Sequence, residues 1–270
     1  MQVDIREMFF VSASYDVLQE DAQHDYGRTL KQPDGVLYKV KSRPAEELLK
    51  FDHYKRLRQV SIMTIGAGFE QSISHHLLCE DGSVPPADWK SRVYNVSKTL
   101  EMYTDELALV QKVWKCIHEH QPEPQYAAGW KISTTTFPLL ISKGIEYGCR
   151  IPPQFLMDPT KNYRTACIYA VENIYTQGVY SHARYVPELN ELMTWWGVQS
   201  NDGWPMLDRK TLASLSTEGW LNYGLQNVEK YLVGMADIVA LYGRVACNAK
   251  PVVEGSMRGP AGPGQAVNLS

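Results

Sequence analysis

The side chains that could do chemistry are few and dispersed. Carboxylates gather at Asp16, Glu20, Asp21 and Asp25, and again at Glu80, Asp81 and Asp88; Asp237 lies inside a long apolar-periodic stretch. Clustered carboxylates suit hard divalent ions, because Mg2+ and Mn2+ take oxygen ligands and negative charge holds them. Two such ions ~3.5–4 Å apart can activate a water and stabilise a leaving phosphate oxygen. Acidic runs such as 16–25 also serve simply as solvated loops, and Asp237 reads equally as an ion-paired helix residue. Histidine clusters at His75-His76 and His118-x-His120. Two residues apart on a helix, His118 and His120 point to different faces and make a poor metal pair. The five cysteines, Cys79, Cys116, Cys149, Cys167 and Cys247, include no C-x-x-C spacing. That argues against a zinc ribbon or a thioredoxin-like motif and for reduced thiols in a cytoplasmic protein. No metal site is expected from the His and Cys residues.

Composition narrows the function classes. The chain has 270 residues, 44% apolar and 21% charged, with 27 Lys plus Arg against 30 Asp plus Glu. The net charge of −3 argues against bulk electrostatic binding to nucleic acid. The one basic patch, Lys39, Lys41, Arg43, Lys50, Lys55, Arg56 and Arg58, is interrupted by Glu46, Glu47 and Asp52. Tyr175, Tyr180, Tyr185 and Arg184 could stack on bases, but no basic groove accompanies them, so direct nucleic-acid binding is not expected. No apolar run reaches the ~18–20 residues of a membrane span. The start, MQVDIREMFF, lacks the basic region of a signal peptide. A two-fold dimer is the expectation for a cytoplasmic protein of this size.

These residues need elements to position them. Residues 5–13 read as a strand, 36–41 as a second with alternating apolar positions, and 59–69 as a buried strand ending in glycine. The stretch 43–58 has helical composition. Tyr103, Leu107, Val110, Trp114 and Ile117 fall on one face of a helix over 103–120. Thr104 is its expected N-cap, with Asp105 and Glu106 at the positive end of the dipole. QYAAGW (125–130) is a strand candidate. A helix follows over 137–148, with Pro138 in its first turn and glycine at its end. Another spans 187–198, and the 3.6-residue period of Val228, Leu232, Met235, Val239 and Tyr242 marks a long helix over 225–246. Beyond 249, glycine and proline dominate. The organisation expected is a single domain over 1–248 and a Gly/Pro-rich arm over 249–270. The class is α/β (α+β), with a mixed central sheet flanked by helices.

The order of these pieces resembles the DEDD (DnaQ-like, ribonuclease H-like) 3′–5′ exonucleases. MFFVSASYD lies where that family carries a strand ending in D-x-E, and LRQVSIMTIGAGF where it has its second strand. ELALVQKVWKCIHEHQPEPQYAAGWKISTTTFPLLISKGIEYG is similar to its helix, strand and N-G-x-x-F-D-x-P-x-L segment. LNELMTWWGV and KYLVGMADIVALYGRV resemble its short helix and final Y-x-x-x-D helix. The resemblance spans most of 5–246 and rests on the hydrophobic frame. It implies two metal ions held by about four carboxylates. In the matching register the first D-x-E falls on Ser12 and Ser14, the second-motif Asp on Thr136, and the motif Tyr on Val233; only Asp237 survives. A shifted register would recruit Asp16 and Glu20, four apart rather than two.

An exonuclease fold without its ligands works by binding and needs no cofactor. The chain is also similar to a giant-phage family that binds the RNA-binding segments of ribonuclease E through acidic surfaces, as a homodimer, and blocks host RNA degradation. That resemblance implies a cytoplasmic, non-enzymatic inhibitor whose partner is a protein with a basic segment. Candidate contact residues are Asp16, Glu20, Asp21, Asp25, Glu80, Asp81 and Asp88. The alternatives are an active Mg- or Mn-dependent exonuclease using Asp237, Asp16 and Glu20, and a structural accessory subunit.

Overall fold

Strand β1 (Met8–Val17) is apolar on both sides along its first half because both faces are covered. Met8 and Phe10 enter one core, and Phe9, Val11 and Ala13 the other. In this computed structural model the described residues are 4–18, 29–31, 37–39, 52–85, 89, 97–119, 126–156, 167–176, 188–198, 207, 211–212 and 214–247. The remaining strands are β2 (Thr29–Lys31), β3 (Leu37–Lys39), β4 (Lys55–Ile65), β5 (Gln71–Leu78), β6 (Ser97–Tyr103), β7 (Tyr126–Gly129) and β8 (Ile168–Ala170). β2 and β3 pair with each other. The others form one six-stranded mixed sheet in the order β6-β5-β4-β1-β7-β8. β1, β4 and β5 are antiparallel neighbours, whereas β7 and β8 continue parallel to β1, and β6 lies parallel to β5.

Helices cover both faces, so the chain is a mixed α/β protein. The helices are α1 (Glu106–Glu119), α2 (Phe137–Glu146), α3 (Glu172–Thr176), α4 (Leu189–Trp195) and α5 (Leu225–Cys247). Leu109, Val113 and Trp114 of α1 and Leu139 and Leu140 of α2 pack on the face carrying Phe9, Val11, Val60, Ile62 and Leu78. Val228, Leu232 and Val239 of α5 pack with Met8, Phe10, Met63, Ile65 and Ile73 on the other. Each such side chain contributes roughly 1.5–3 kcal/mol when fully buried. α5 crosses the sheet: Glu229 meets His75 of β5, and six residues later the Met235 sulfur accepts from the Trp130 backbone N–H just past β7.

Several boundaries follow directly from local chemistry. Asp105, not Thr104, caps α1: its Oδ1 accepts from the Ala108 backbone N–H at 2.8 Å. Pro138 lies in the first turn of α2, and Gly148 takes φ +64° after it, a left-handed cap that costs glycine nothing. Gly197 does the same after α4. Of the helical stretch expected over 43–58, the described part is instead a single 3₁₀ turn (Asp52–Tyr54) running into β4. The 249–270 arm lies outside the described residues. No helix among them is long and apolar enough to cross a membrane.

Candidate functional site

Side chains alternate along a strand, so Ser12, Ser14 and Asp16 share the side of β1 that carries Met8 and Phe10, the side beneath α5. Ser14 is buried and Ser12 half-buried. The segment after β7, Ile132–Thr136, is a π-helical turn that packs beside β1, and its last residue, Thr136, is buried. The chain enters it through Lys131, at φ +50°, whose backbone N–H donates to Glu172 and whose ammonium reaches Glu188 at 2.8 Å. The turn runs directly into α2, and π-turns in helices are frequent at functional positions. Here it offers hydroxyls and no carboxylate.

The middle of the same sheet face is polar and buried. Gln59 Nε2 donates to Ser61 Oγ at 2.5 Å, and Ser61 Oγ lies 2.6 Å from His75 Nδ1. His75 Nε2 lies 3.0 Å from Glu229 Oε1, and Lys98 Nζ donates to Glu229 Oε2 at 3.0 Å. Gln59, Ser61 and His75 are fully buried, and Glu229 is 1% exposed. The edge of the Trp89 ring closes over His75, centroids 5.8 Å apart. The ring can serve both neighbours in one tautomer: with the serine hydroxyl giving to Nδ1, Nε2–H gives to the Glu229 carboxylate. Glu229 and Lys98 form a buried pair of opposite charge.

Ser61, His75 and Glu229 have the composition of a nucleophile, base and orienting acid, but not the setting. Ser61 is sealed, and its strand is paired on both sides, to β1 and to β5. A paired strand has no free N–H to receive an oxyanion. The relay is therefore a structural and electrostatic device.

A second charged cluster stands at the far end of β1. The pairing of β1 with β4 shifts between Ser14 and Tyr15, leaving Arg58 as the extra residue on β4. Arg56 and Arg58 both approach Asp16, at 3.3 and 3.6 Å, and Arg56 also holds Glu80 at 2.6 Å. Two of the candidate acidic contact residues are thus bound by one arginine. Asp81 sits in the adjacent turn. The Ser83 backbone N–H at 3.0 Å holds its exposed carboxyl down at about 2. Cys79, close by, donates toward Asp81, and burial pushes its thiol up.

On the opposite face His76 forms its own network. Tyr103 Oη donates to Glu101 at 2.7 Å, so His76 Nδ1 carries the hydrogen that reaches Tyr103 at 3.1 Å. His76 Nε2 is buried with no partner among the described residues. Burial pushes this imidazole down to about 4, against the nearby Glu101 charge. Nearer α2, Glu106 accepts from the Leu57 backbone N–H and from Tyr147 Oη, and the buried Lys143 ammonium lies 3.5 Å from it.

The remaining sequence candidates fall as follows. Asp237 is half-buried on α5, two turns beyond Glu229, or about 12 Å along the axis. Glu20, Asp21, Asp25 and Asp88 lie outside the described residues, as do His120, Tyr180, Arg184 and Tyr185. His118 pairs with the Arg150 backbone carbonyl at 2.8 Å. Among the described residues no three His, Cys, Asp or Glu side chains are grouped to hold a metal ion. The relay residues Gln59, Ser61, His75, Lys98 and Glu229 were not singled out from sequence as a site. Their linear signals are the His75-His76 pair and Glu229, a charged residue set into the apolar stripe of Leu225, Val228, Leu232 and Ala236. Neither a protein-family model nor a curated protein matches this chain.

Proposed function

We propose that the chain is a non-catalytic, exonuclease-like protein that acts by binding a nucleic-acid-processing protein. One observation carries the reading. Where a two-metal exonuclease needs carboxylates, on β1 and ahead of α2, the chain has Ser12, Ser14 and Thr136, hydroxyls in a partly closed setting. The surviving Asp237 alone lacks the charge to retain two Mg2+ or Mn2+ ions. Asp16, which a shifted register would enlist, already faces two arginines. The exonuclease-like frame is supported by three antiparallel strands, two parallel strands added beside β1, and a final helix that bears Asp237 and crosses the sheet.

The partner class follows from charge. A net −3 surface with exposed Glu80 and Asp81 favours a basic protein segment, of the kind that binds RNA in ribonuclease E. A cytoplasmic homodimer acting as a phage inhibitor of host RNA degradation is the specific form of the proposal. The test is a nuclease assay on 5′-labelled single-stranded DNA and RNA, in magnesium and in manganese, beside an Asp237→Asn control. No cleavage is expected. Cleavage that disappears in the variant overturns the reading in favour of a metal-dependent exonuclease. A labelled arginine- and lysine-rich peptide tests the partner class; its affinity is expected to fall steeply with added salt.

A further inference from the structure

We infer that the end of the sheet at which β1, β5, β7 and β8 finish is the docking surface for an arginine-bearing segment of a partner protein; the inference rests on the binding function proposed above and gives it a place. The topology selects this end. β7 runs parallel to β1, and β8 parallel to β7. β1 and β5 are both antiparallel to β4, so they point the same way. Carboxylates gather where these strands finish. Asp16 is near the end of β1, Glu80 and Asp81 follow β5, and Glu172 opens α3 just past β8. Just past β7, Lys131 donates its backbone N–H to Glu172 and its ammonium to Glu188, the N-cap of α4, each at 2.8 Å. Cations of the chain itself thus already sit on acids of this end at two places, Arg56 on Asp16 and Glu80, and Lys131 on Glu188.

Exposed aromatics mark the β8 side. Tyr175 is 39% exposed and Trp195 58%. Each lies one helical turn from a glutamate: Tyr175 is three residues after Glu172, and Trp195 four after Glu191. That spacing makes the two side chains neighbours on one helix face. α4 buries Leu189, Leu192 and Met193 on its inner side, so Trp195 occupies the solvent ridge, where an amphipathic helix ordinarily carries a polar residue. A carboxylate beside an aromatic face suits arginine in particular. The planar guanidinium pairs with the carboxylate through its fork and stacks on the ring, whereas lysine brings a hydrated point charge. The net charge of −3 favours a cationic partner in the same sense.

The test titrates the full chain against two labelled peptides of equal length and charge, one built on arginine and the other on lysine, followed by fluorescence anisotropy. The arginine peptide is expected to bind more tightly. Tyr175→Ala combined with Trp195→Ala removes two exposed rings, a change that surface positions tolerate. This variant should lose at least about threefold in affinity for the arginine peptide, and with it the preference over lysine. If the arginine peptide binds the variant as tightly as the wild type, the docking surface is overturned while the binding function stands. Equal affinity of the wild type for both peptides overturns the choice of arginine. If the wild type binds neither peptide, the proposed function fails and takes this inference with it.

Discussion

Replacing Glu229 with alanine probes the relay most sharply. The carboxylate is 1% exposed and accepts from both His75 Nε2 and Lys98 Nζ, each at 3.0 Å. Its removal takes this anionic partner from Lys98, whose side chain is only 8% exposed. Breaking a buried pair of this kind costs about 3–5 kcal/mol, a large share of the ~5–15 kcal/mol that holds a typical domain together. The orphaned His75 N–H belongs to the same loss, so the two are not to be added. Glu229→Gln keeps an acceptor and the volume but not the charge, and is expected to fall between alanine and wild type. The deciding variant is the double substitution Lys98→Met with Glu229→Leu. It removes both charges and fills the space, so it should recover most of the loss despite carrying one more change. Urea denaturation followed by tryptophan fluorescence measures all three. If Glu229→Ala costs less than about 1 kcal/mol, the pair is not a buried pair in solution. If the double variant is no more stable than the single one, uncompensated charge is not the source of the loss.

Other outcomes follow from the same geometry. His76 is held down to about 4 in the folded chain, against ~6.5 when unfolded. Its contribution is therefore complete above pH 6.5 and is lost as pH falls from there toward 4, amounting to about 3 kcal/mol; His76→Gln should flatten that part of the stability profile, and an unchanged slope refutes the assignment. A Cβ at Gly129 would lie 2.9 Å from the Val11 carbonyl oxygen and 3.1 Å from Ile132 Cβ. Gly129→Ala should thus cost ~1–3 kcal/mol by overpacking, whereas Gly243→Ala, on α5 with nothing within 4 Å, should gain up to ~1 kcal/mol by calorimetry. Arg56→Ala releases Glu80 from a partly exposed ion pair and leaves Asp16 with Arg58. Stability should change by less than ~1 kcal/mol, while affinity for a basic peptide should rise; weaker peptide binding would place the arginine, not the acids, at the contact.

The readable parts of the chain were those whose burial is one-sided and local. α1, α2, α4 and α5 each carry a buried apolar stripe, and the stripes of Val110, Trp114 and Ile117 or of Val228, Leu232 and Val239 are visible as spacing. Proline and glycine punctuated α2 and α4 where the backbone needed them. β5 and β6 were not anticipated, for different reasons. β5 interleaves Ser72, Ser74, His75 and His76 with Ile73 and Leu77, so its buried positions include polar ones. β6 has no fully buried residue and meets a partner on one side only among the described residues, so Leu100 and Met102 give a faint alternation. The two π-helical turns, Ile132–Thr136 and Trp220–Gly224, merge with the helices they precede, since a single wide turn leaves the apolar period almost unchanged.

The relay was hidden for a deeper reason. Its members come together from β4, β5, β6 and α5, and the His75–Glu229 contact spans 154 positions. Linear spacing carries no trace of such a contact. What the sequence could carry is an inconsistency, and there are two. Glu229 interrupts an apolar helix stripe, and His75 takes an inward position on a strand. Each alone resembles an error of pattern; together they are the two halves of one satisfied network. A charge on a core-facing stripe demands a partner of opposite sign or a proton sharer on the surface it covers. The same logic applies in reverse to Ser12, Ser14 and Thr136. Those positions look unremarkable because hydroxyls fit both strand and turn. Only the frame around them, with β7 added beside β1 and α5 laid across, turns their lack of charge into a statement about chemistry. Glu229 and Lys98 are buried beneath α5, while Ser12, Ser14 and Thr136 bring hydroxyls; in the exonuclease-like reading proposed above, those hydroxyls stand where a metal-binding site would need charge.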